Sequence, residues 1–319
     1  MAVTPPEHIP VLVDRVVALL TPVLQEPGAV VVDATLGLGG HAEQLLARCP
    51  NAHLVGIDRD PQALLTARRR LKSFAGRVTF VHSGYDRVSE VLANLGHHCV
   101  PAVLFDLGVS SLQLDDSARG FAYAVDAPLD MRMDPSGGLT AADVLNTYAQ
   151  ADLARVLRWY GEEKFARRIA AAVVSARRDG ALVTSAQLVA IVREAIPAPA
   201  RRHGGHPAKR TFQALRIEVN DELGALRRAL PASIRSVCVG GRIVVMAYHS
   251  LEDRLVKAEF NRQSHSSVPD DLPIVPTGFE PELRLLTKGA EKADVSEVAR
   301  NPRAQSVRLR AAERVRIAA

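Results

Sequence analysis

The apolar positions in the first third of the chain fall into short runs that end on acidic residues. Val30-Val31-Val32 stops at Asp33, Leu54-Val55-Gly56-Ile57 at Asp58, and Ala102-Val103-Leu104-Phe105 at Asp106; Val78-Thr79-Phe80-Val81 is a fourth run of the same kind. The runs are almost continuously aliphatic rather than alternating, as in strands covered on both faces. Between them lie segments with helical spacing, among them Pro61 to Ser73. Strands and helices in alternation predict a parallel sheet with helices on each side. A fifth run, Arg242 to Tyr248, comes 136 residues after Asp106. A crossover of roughly a few tens of residues would suffice, so the pattern predicts an insertion.

The insertion patterns as helix. Thr140 and Asp143 form a capping-box-like start. Leu153, Val156, Leu157 and Tyr160, then Phe165, Ile169 and Val173, keep helical spacing up to Gly180. Thr184 or Ser185 predicts a further cap, and Pro197 ends that helix. Pro197 to Arg210 reads as a linker rich in Pro, Gly and basic residues, followed by one helix from about Thr211 to Leu230. The expected fold is α/β: a Rossmann-like parallel sheet core, residues 1–115 and 206–319, with an inserted, mostly helical substrate-recognition domain at 116–205.

Chemistry enters at the first strand's end. The segment VVVDATLGLGGHAEQLL, residues 30–46, runs from strand through Gly37, Gly39 and Gly40 into a helix. Glycines allow a tight turn and close approach of a ligand to the backbone. The helix start offers N–H groups without intrahelical acceptors. The spacing is GxGG rather than GxGxxG, which disfavours a nicotinamide dinucleotide. No GK[ST] follows, which excludes a P-loop. Asp58, 21 residues after Gly37, is placed to accept hydrogen bonds from ribose hydroxyls. Ribose belongs to dinucleotides and to S-adenosylmethionine alike, so Asp58 alone does not choose between them. Asp60 reads as the cap of the helix beginning at Pro61. Carboxyl ends of neighbouring parallel strands open onto one crevice, so Asp33, Asp58, Tyr85 and Asp106 are expected to converge.

Charge narrows the partner. Net charge is +5, and the stretch from Arg300 onward, with six arginines and one glutamate, carries an excess of that size by itself. A second basic cluster comprises Arg201, Arg202, Lys209, Arg210 and Arg216, with His203 and His206 between. Clustered cations on a near-neutral body point to a polyanion, against the plainer reading of a solvated face or tail. The three cysteines, Cys49, Cys99 and Cys238, are far apart and make no CxxC pair. They read as buried free thiols of a cytoplasmic protein, and no metal site is indicated. No apolar run approaches the roughly 18 residues of a membrane span, and no export signal is evident.

Nine blocks in order carry a resemblance. They are HIPVL (His8 to Leu12), DATLGLGGH (Asp33 to His41), GIDRDPQAL (Gly56 to Leu64), DLGVSSLQLDDSARGF (Asp106 to Phe121), PLDMRMD (Pro128 to Asp134), GEEKFARRIA (Gly161 to Ala170), RTFQALRIEVNDEL (Arg210 to Leu223), HSLEDRLVK (His249 to Lys257) and NPRAQSVRLRAAER (Asn301 to Arg314). Through them the chain resembles the RsmH (MraW) family of bacterial methyltransferases over nearly its whole length. The resemblance implies S-adenosylmethionine as cofactor and, as reaction, methylation of the exocyclic N4 of a cytidine in 16S rRNA at the decoding centre. It implies cofactor contacts at Gly39, Gly40, His41, Asp58, Tyr85, Asp106 and Gln113. The chain departs from the family's usual residues at Ala122, Lys209, Tyr248 and Gln305.

The residues add their own constraints. Methyl transfer is an in-line displacement in which positioning does most of the work. The loop after the fourth strand reads Asp106-Leu107-Gly108-Val109-Ser110-Ser111, not the D/N-P-P-Y/F of many amino-methyltransferases. Ser110 and Ser111 are candidate acceptors for the amine hydrogens, although such residues also simply make turns. His249, after the fifth strand, is a candidate contact to base or phosphate. Ser250 and Asp253 predict a helix start. Arg119, Arg132, Arg210 and Arg303 are candidate phosphate ligands, each equally readable as a structural ion pair. C5 chemistry would need a cysteine nucleophile, and none follows the fourth or fifth strand. A nicotinamide oxidoreductase and a non-catalytic ribosome-assembly factor are the rival readings. Monomer and homodimer both remain open.

Overall fold

The computed structural model describes residues 9–201, 205–266 and 280–317. His8, Arg202 and His203, named above, lie outside them, as does the side chain of Ser111. The chain divides into two compact units, residues 1–108 with 224–319, and residues 109–223.

The first unit is built on seven strands: β1 (Val30–Asp33), β2 (His53–Asp58), β3 (Val78–His82), β4 (Val100–Asp106), β5 (Val237–Ala247), β6 (Leu283–Leu285) and β7 (Arg308–Arg314). Their order is β3-β2-β1-β4-β5-β7-β6. The first five pair in parallel, and β7 and β6 close one side antiparallel. Alternate residues of each inner strand feed different cores. Val31, Leu54, Leu104 and Val244 face one apolar cluster, while Val32, Val55, Val103 and Val245 face the other. That is why the inner strands read as unbroken aliphatic runs. No helix among the described residues is long and apolar enough to cross a membrane.

Three expectations change here. β5 starts at Val237, five residues before the predicted run, and its register with β4 shifts between Val100 and Ala102. At that irregularity Cys99 and Cys238 are joined in a disulfide, with Cα atoms 5.1 Å apart. The reading of all three cysteines as free thiols is therefore wrong; Cys49 alone is buried and free. Sequence distance misled, because parallel neighbours bring residues 139 apart side by side. Three of the six C-terminal arginines, read as a polyanion-binding cluster, belong to β7. Arg308 and Arg310 pair with Asp253 at 3.1 and 2.7 Å, and Arg314 is buried, donating to the carbonyls of Arg235 and Val237.

The second unit is helical, with helices Ala141–Thr147, Gln150–Tyr160, Ala166–Ala176, Ser185–Ala195 and Lys209–Asn220 around a core including Leu153, Leu157, Ile169, Leu188, Phe212 and Leu215. Thr140 and Thr184 each close a reciprocal capping box. Phe212 and Leu215 explain why Lys209–Asn220, which the sequence assigned to the core, groups with the insertion instead. The single helix expected from Thr211 to Leu230 is two. It breaks at Asp221, whose φ of 47° is left-handed, and resumes at Glu222.

Candidate functional site

The glycine turn is held by the acid of the next strand. Gly37 and Gly39 have φ of 52° and 77°, values open to glycine at little cost. The Asp58 carboxylate, at the end of β2, accepts the Gly37 N–H at 2.7 Å through Oδ2 and the Asp60 N–H at 2.8 Å through Oδ1. Burial pushes this carboxyl up, and the two N–H groups pull the other way; the net direction is up. Each oxygen keeps a second lone pair, so hydroxyl donors from a ligand still have acceptors. Asp60 caps the helix Pro61–Arg70 through the Gln62 N–H, its expected role.

Asp33 lies on β1, between Asp58 on β2 and Asp106 on β4. It is 2% exposed. Burial, joined by the charges of Asp106 and Asp58 and opposed by the Thr35 N–H, pushes it up to about 8. Asp33 is thus mostly protonated at neutral pH. The mutual charge effects place the three strand-end acids within one neighbourhood.

Asp106 is held by two hydroxyls and faces an imidazole. Its N–H donates to Thr35 Oγ1 at 2.6 Å, and the Tyr248 hydroxyl donates to its Oδ1 at 2.7 Å. Its Oδ2 is 3.4 Å from His41 Nδ1. The other His41 nitrogen, Nε2, is 2.8 Å from the Val11 carbonyl and must donate there, because a carbonyl only accepts. Burial and the charge of Asp106 hold the Tyr248 phenol well above its ordinary value, so it remains a donor. A hydroxyl where the family usually carries Phe therefore has a definite partner. Sequence reasoning noted Tyr248 only as a departure. Its partner is 142 residues away, and no local signal reveals it.

The segment before the turn closes over it. A Cβ on Gly40 would meet Pro10 Cγ at 2.6 Å, so only glycine permits this packing. That segment is tied to the far end of the chain, through Leu12 N–H to Glu297 at 2.6 Å and Asn301 to the Ile9 carbonyl at 2.9 Å. Tyr85 follows β3, edge-on to Phe105 with centroids 5.8 Å apart and with the Arg59 guanidinium 5.6 Å from its ring. Gly37, Gly39, His41, Asp33, Asp58, Tyr85 and Asp106 all belong to the first unit.

A family model described as the MraW methylase family matches residues 6–315. The chain belongs to the MraW methylase family. Three curated relatives named ribosomal RNA small subunit methyltransferase H are similar along their lengths. The one from Nocardioides sp. is 66% identical, over 97% of both chains. That from Frankia alni is 64% identical, over 96% of this chain and 95% of its own. That from Nocardia farcinica is 59% identical, over 98% and 97%.

Within this methylase the remaining candidates sort by what they touch. Ser110 and Gln113 lie in the second unit and cap the helix Ser111–Asp115 reciprocally: Ser110 Oγ accepts the Gln113 N–H, and Gln113 Oε1 accepts the Ser110 N–H at 3.0 Å. His249, rather than Ser250, caps the helix Ser250–Ser264, its Nδ1 accepting the Glu252 N–H at 3.4 Å. The predicted Ser250–Asp253 cap is therefore one residue out of register. Asp253 instead ties that helix to β7. Arg119 is 8% exposed and donates to the carbonyls of Arg132 and Met133, both at 2.9 Å. Its Nη2 is thereby committed to the backbone. Arg132 forms a two-pronged pair with Asp130 at 2.9 and 2.8 Å. Arg210 and Arg303 are exposed.

Proposed function

We propose that this chain transfers a methyl group from S-adenosylmethionine to the exocyclic N4 of a cytidine in 16S rRNA, at the decoding centre of the small ribosomal subunit. The carrying observation is the acid-tipped glycine turn of a MraW-family chain whose curated relatives are named for small-subunit rRNA methylation. The donor set fits the nucleoside. Asp58 keeps acceptor lone pairs for ribose hydroxyls, and Tyr85 supplies a ring beside the base. The helix Gly40–Arg48 begins with N–H groups that no intrahelical carbonyl reaches. S-adenosylmethionine, when bound, supplies an electrophilic methyl on a sulfonium.

The protein's own contribution is to hold and orient. Asp106, tethered by Tyr248 and facing His41, is a fixed acceptor rather than a mobile one. Protonated Asp33 lowers the mutual repulsion of the three acids. The nucleophile is an aromatic amine whose lone pair is delocalised, so an acceptor for its hydrogens sharpens it. We assign that part to the hydroxyls following Asp106 in the chain, Ser110 and Ser111. His249, whose Nδ1 caps a helix and whose Nε2 lies 3.2 Å from Glu252 Oε1, is assigned to contact with the base or phosphate.

The test is incubation with labelled S-adenosylmethionine and small ribosomal subunits, with the modified nucleotide mapped by mass spectrometry. Label on N4 of one 16S cytidine is expected; label on C5, on protein, or nowhere overturns the reading. In parallel, Asp58→Ala is expected to weaken cofactor binding by about 1–3 kcal/mol, read by calorimetry. Unchanged affinity removes Asp58 from the cofactor site.

A further inference from the structure

The chain has one tryptophan, Trp159, and it is 62% exposed. It stands on the helix Gln150–Tyr160, which buries Leu153, Val156 and Leu157 on its inner face. A single exposed aromatic residue is ordinary. The surroundings of Trp159 are not.

Gly161, two residues on, is packed against the start of the helix Lys209–Asn220. A Cβ there would meet the Arg210 carbonyl oxygen at 2.5 Å. Arg210 Nη1 donates to the Glu162 carbonyl at 3.2 Å, and Gln213 donates to the Tyr160 carbonyl at 3.0 Å. Arg210 is thereby fixed beside the Trp159 corner, and Lys209 precedes it in the helix; both are exposed. Continuing along the same chain start, the Lys209 N–H donates to the His206 carbonyl at 3.0 Å. The exposed His206 ring lies flat on Tyr123, centroids 4.5 Å apart and planes 17° apart. Tyr123 is in turn braced edge-on by Phe212 at 5.8 Å. Arg158 and Lys164 add exposed cations at the corner. On the acidic side, Asp152 pairs with Arg155 at 3.0 Å, and Glu162 is exposed.

We propose that this edge of the second unit, from Trp159 across Arg210 and Lys209 to His206 and Tyr123, is a stacking platform for single-stranded RNA. Aromatic faces interleaved with cations suit unpaired bases on an anionic backbone. Bases in a duplex already stack on each other and have no face to offer. The choice of RNA rests on the proposed function; the choice of a single strand rests on the rings.

Trp159 is also the reporter, since it is the chain's one indole. The intact protein is titrated with a short single-stranded oligoribonucleotide and with the same sequence as a duplex, while anisotropy of labelled RNA gives affinity independently. The single strand is expected to quench Trp159 emission and to bind more tightly than the duplex, with affinity falling steeply as salt rises. Trp159→Ala is expected to raise Kd about tenfold or more, and Trp159→Phe to restore most of it. Lys209→Gln is expected to lower the slope of log affinity against log salt by about one. RNA binding without quenching, a Trp159→Ala protein that binds as tightly as the original, or quenching on concentrating the protein alone overturns the platform; the last would make this face a contact between copies. Cofactor affinity of Trp159→Ala, by calorimetry, is expected to be unchanged, since an exposed ring leaves the fold intact; a fall overturns the assignment to RNA. Methyl transfer by the unsubstituted protein to small subunits is measured alongside. If it transfers while Trp159→Ala transfers equally, the platform fails and the enzyme reading stands; if the unsubstituted protein transfers nothing, the enzyme reading fails whatever Trp159 does.

Discussion

Asp33 shows how one side chain can set a pH dependence. Its carboxyl titrates near 8 in the folded protein and near 3.9 in the unfolded chain. Between those values the folded state holds a proton that the unfolded state has released. Stability from this residue is therefore full below about pH 4 and is lost as pH rises to about 8. Asp33→Asn keeps an oxygen for the Thr35 N–H and cannot ionise. Denaturant melts at pH 6 and pH 9 are expected to show the original protein losing stability relative to Asp33→Asn, by at most about 1.4 kcal/mol per pH unit. Parallel pH profiles for the two proteins would show that Asp33 does not titrate in this range. The positions of Asp33, Asp58 and Asp106 were readable in the sequence, because each ends an aliphatic run. Their partners were not. Tyr248 and His41 reach Asp106 across 142 and 65 positions of chain, and only the sheet order brings them together.

At the level of elements, strands built of aliphatic residues announce themselves, and a strand that carries arginines does not. β1, β2, β3 and β4 were legible as aliphatic runs. β7 was hidden by its arginines, which looked like a basic tail but alternate with the buried Leu309 and Ala311. Two of those arginines converge on Asp253 in the helix Ser250–Ser264. Burial raises the Asp253 carboxyl, but Arg310 and then Arg308 outweigh it and hold it below the ordinary range. Removing the acid would leave Arg310, 13% exposed, facing no counter-charge from it. Asp253→Ala is expected to cost about 3 kcal/mol, read as a lowered denaturation midpoint. A loss under 0.5 kcal/mol would mean that the tie contributes nothing to stability. Helix ends were read well where a hydroxyl capped them, as at Thr140, and badly at Asp221, where a left-handed backbone without glycine breaks a helix that the apolar spacing continues through.

For the whole molecule, apolar spacing showed that an insertion exists, and packing drew its limits. Val109 and Leu114 at one end pack against the insertion's apolar core, and Phe212 and Leu215 at the other belong to it, so the second unit takes residues 109–223. The bond between Cys99 and Cys238 spans this entire stretch. Every residue of the second unit therefore lies on a closed covalent ring. A protease that cuts once anywhere in residues 109–223 is expected to leave one band on a denaturing gel without thiol and two bands with it. Two bands without thiol would show that the ring is open. A chain so closed survives a single break in its insertion as one molecule, so the second unit can be severed at the backbone without being shed.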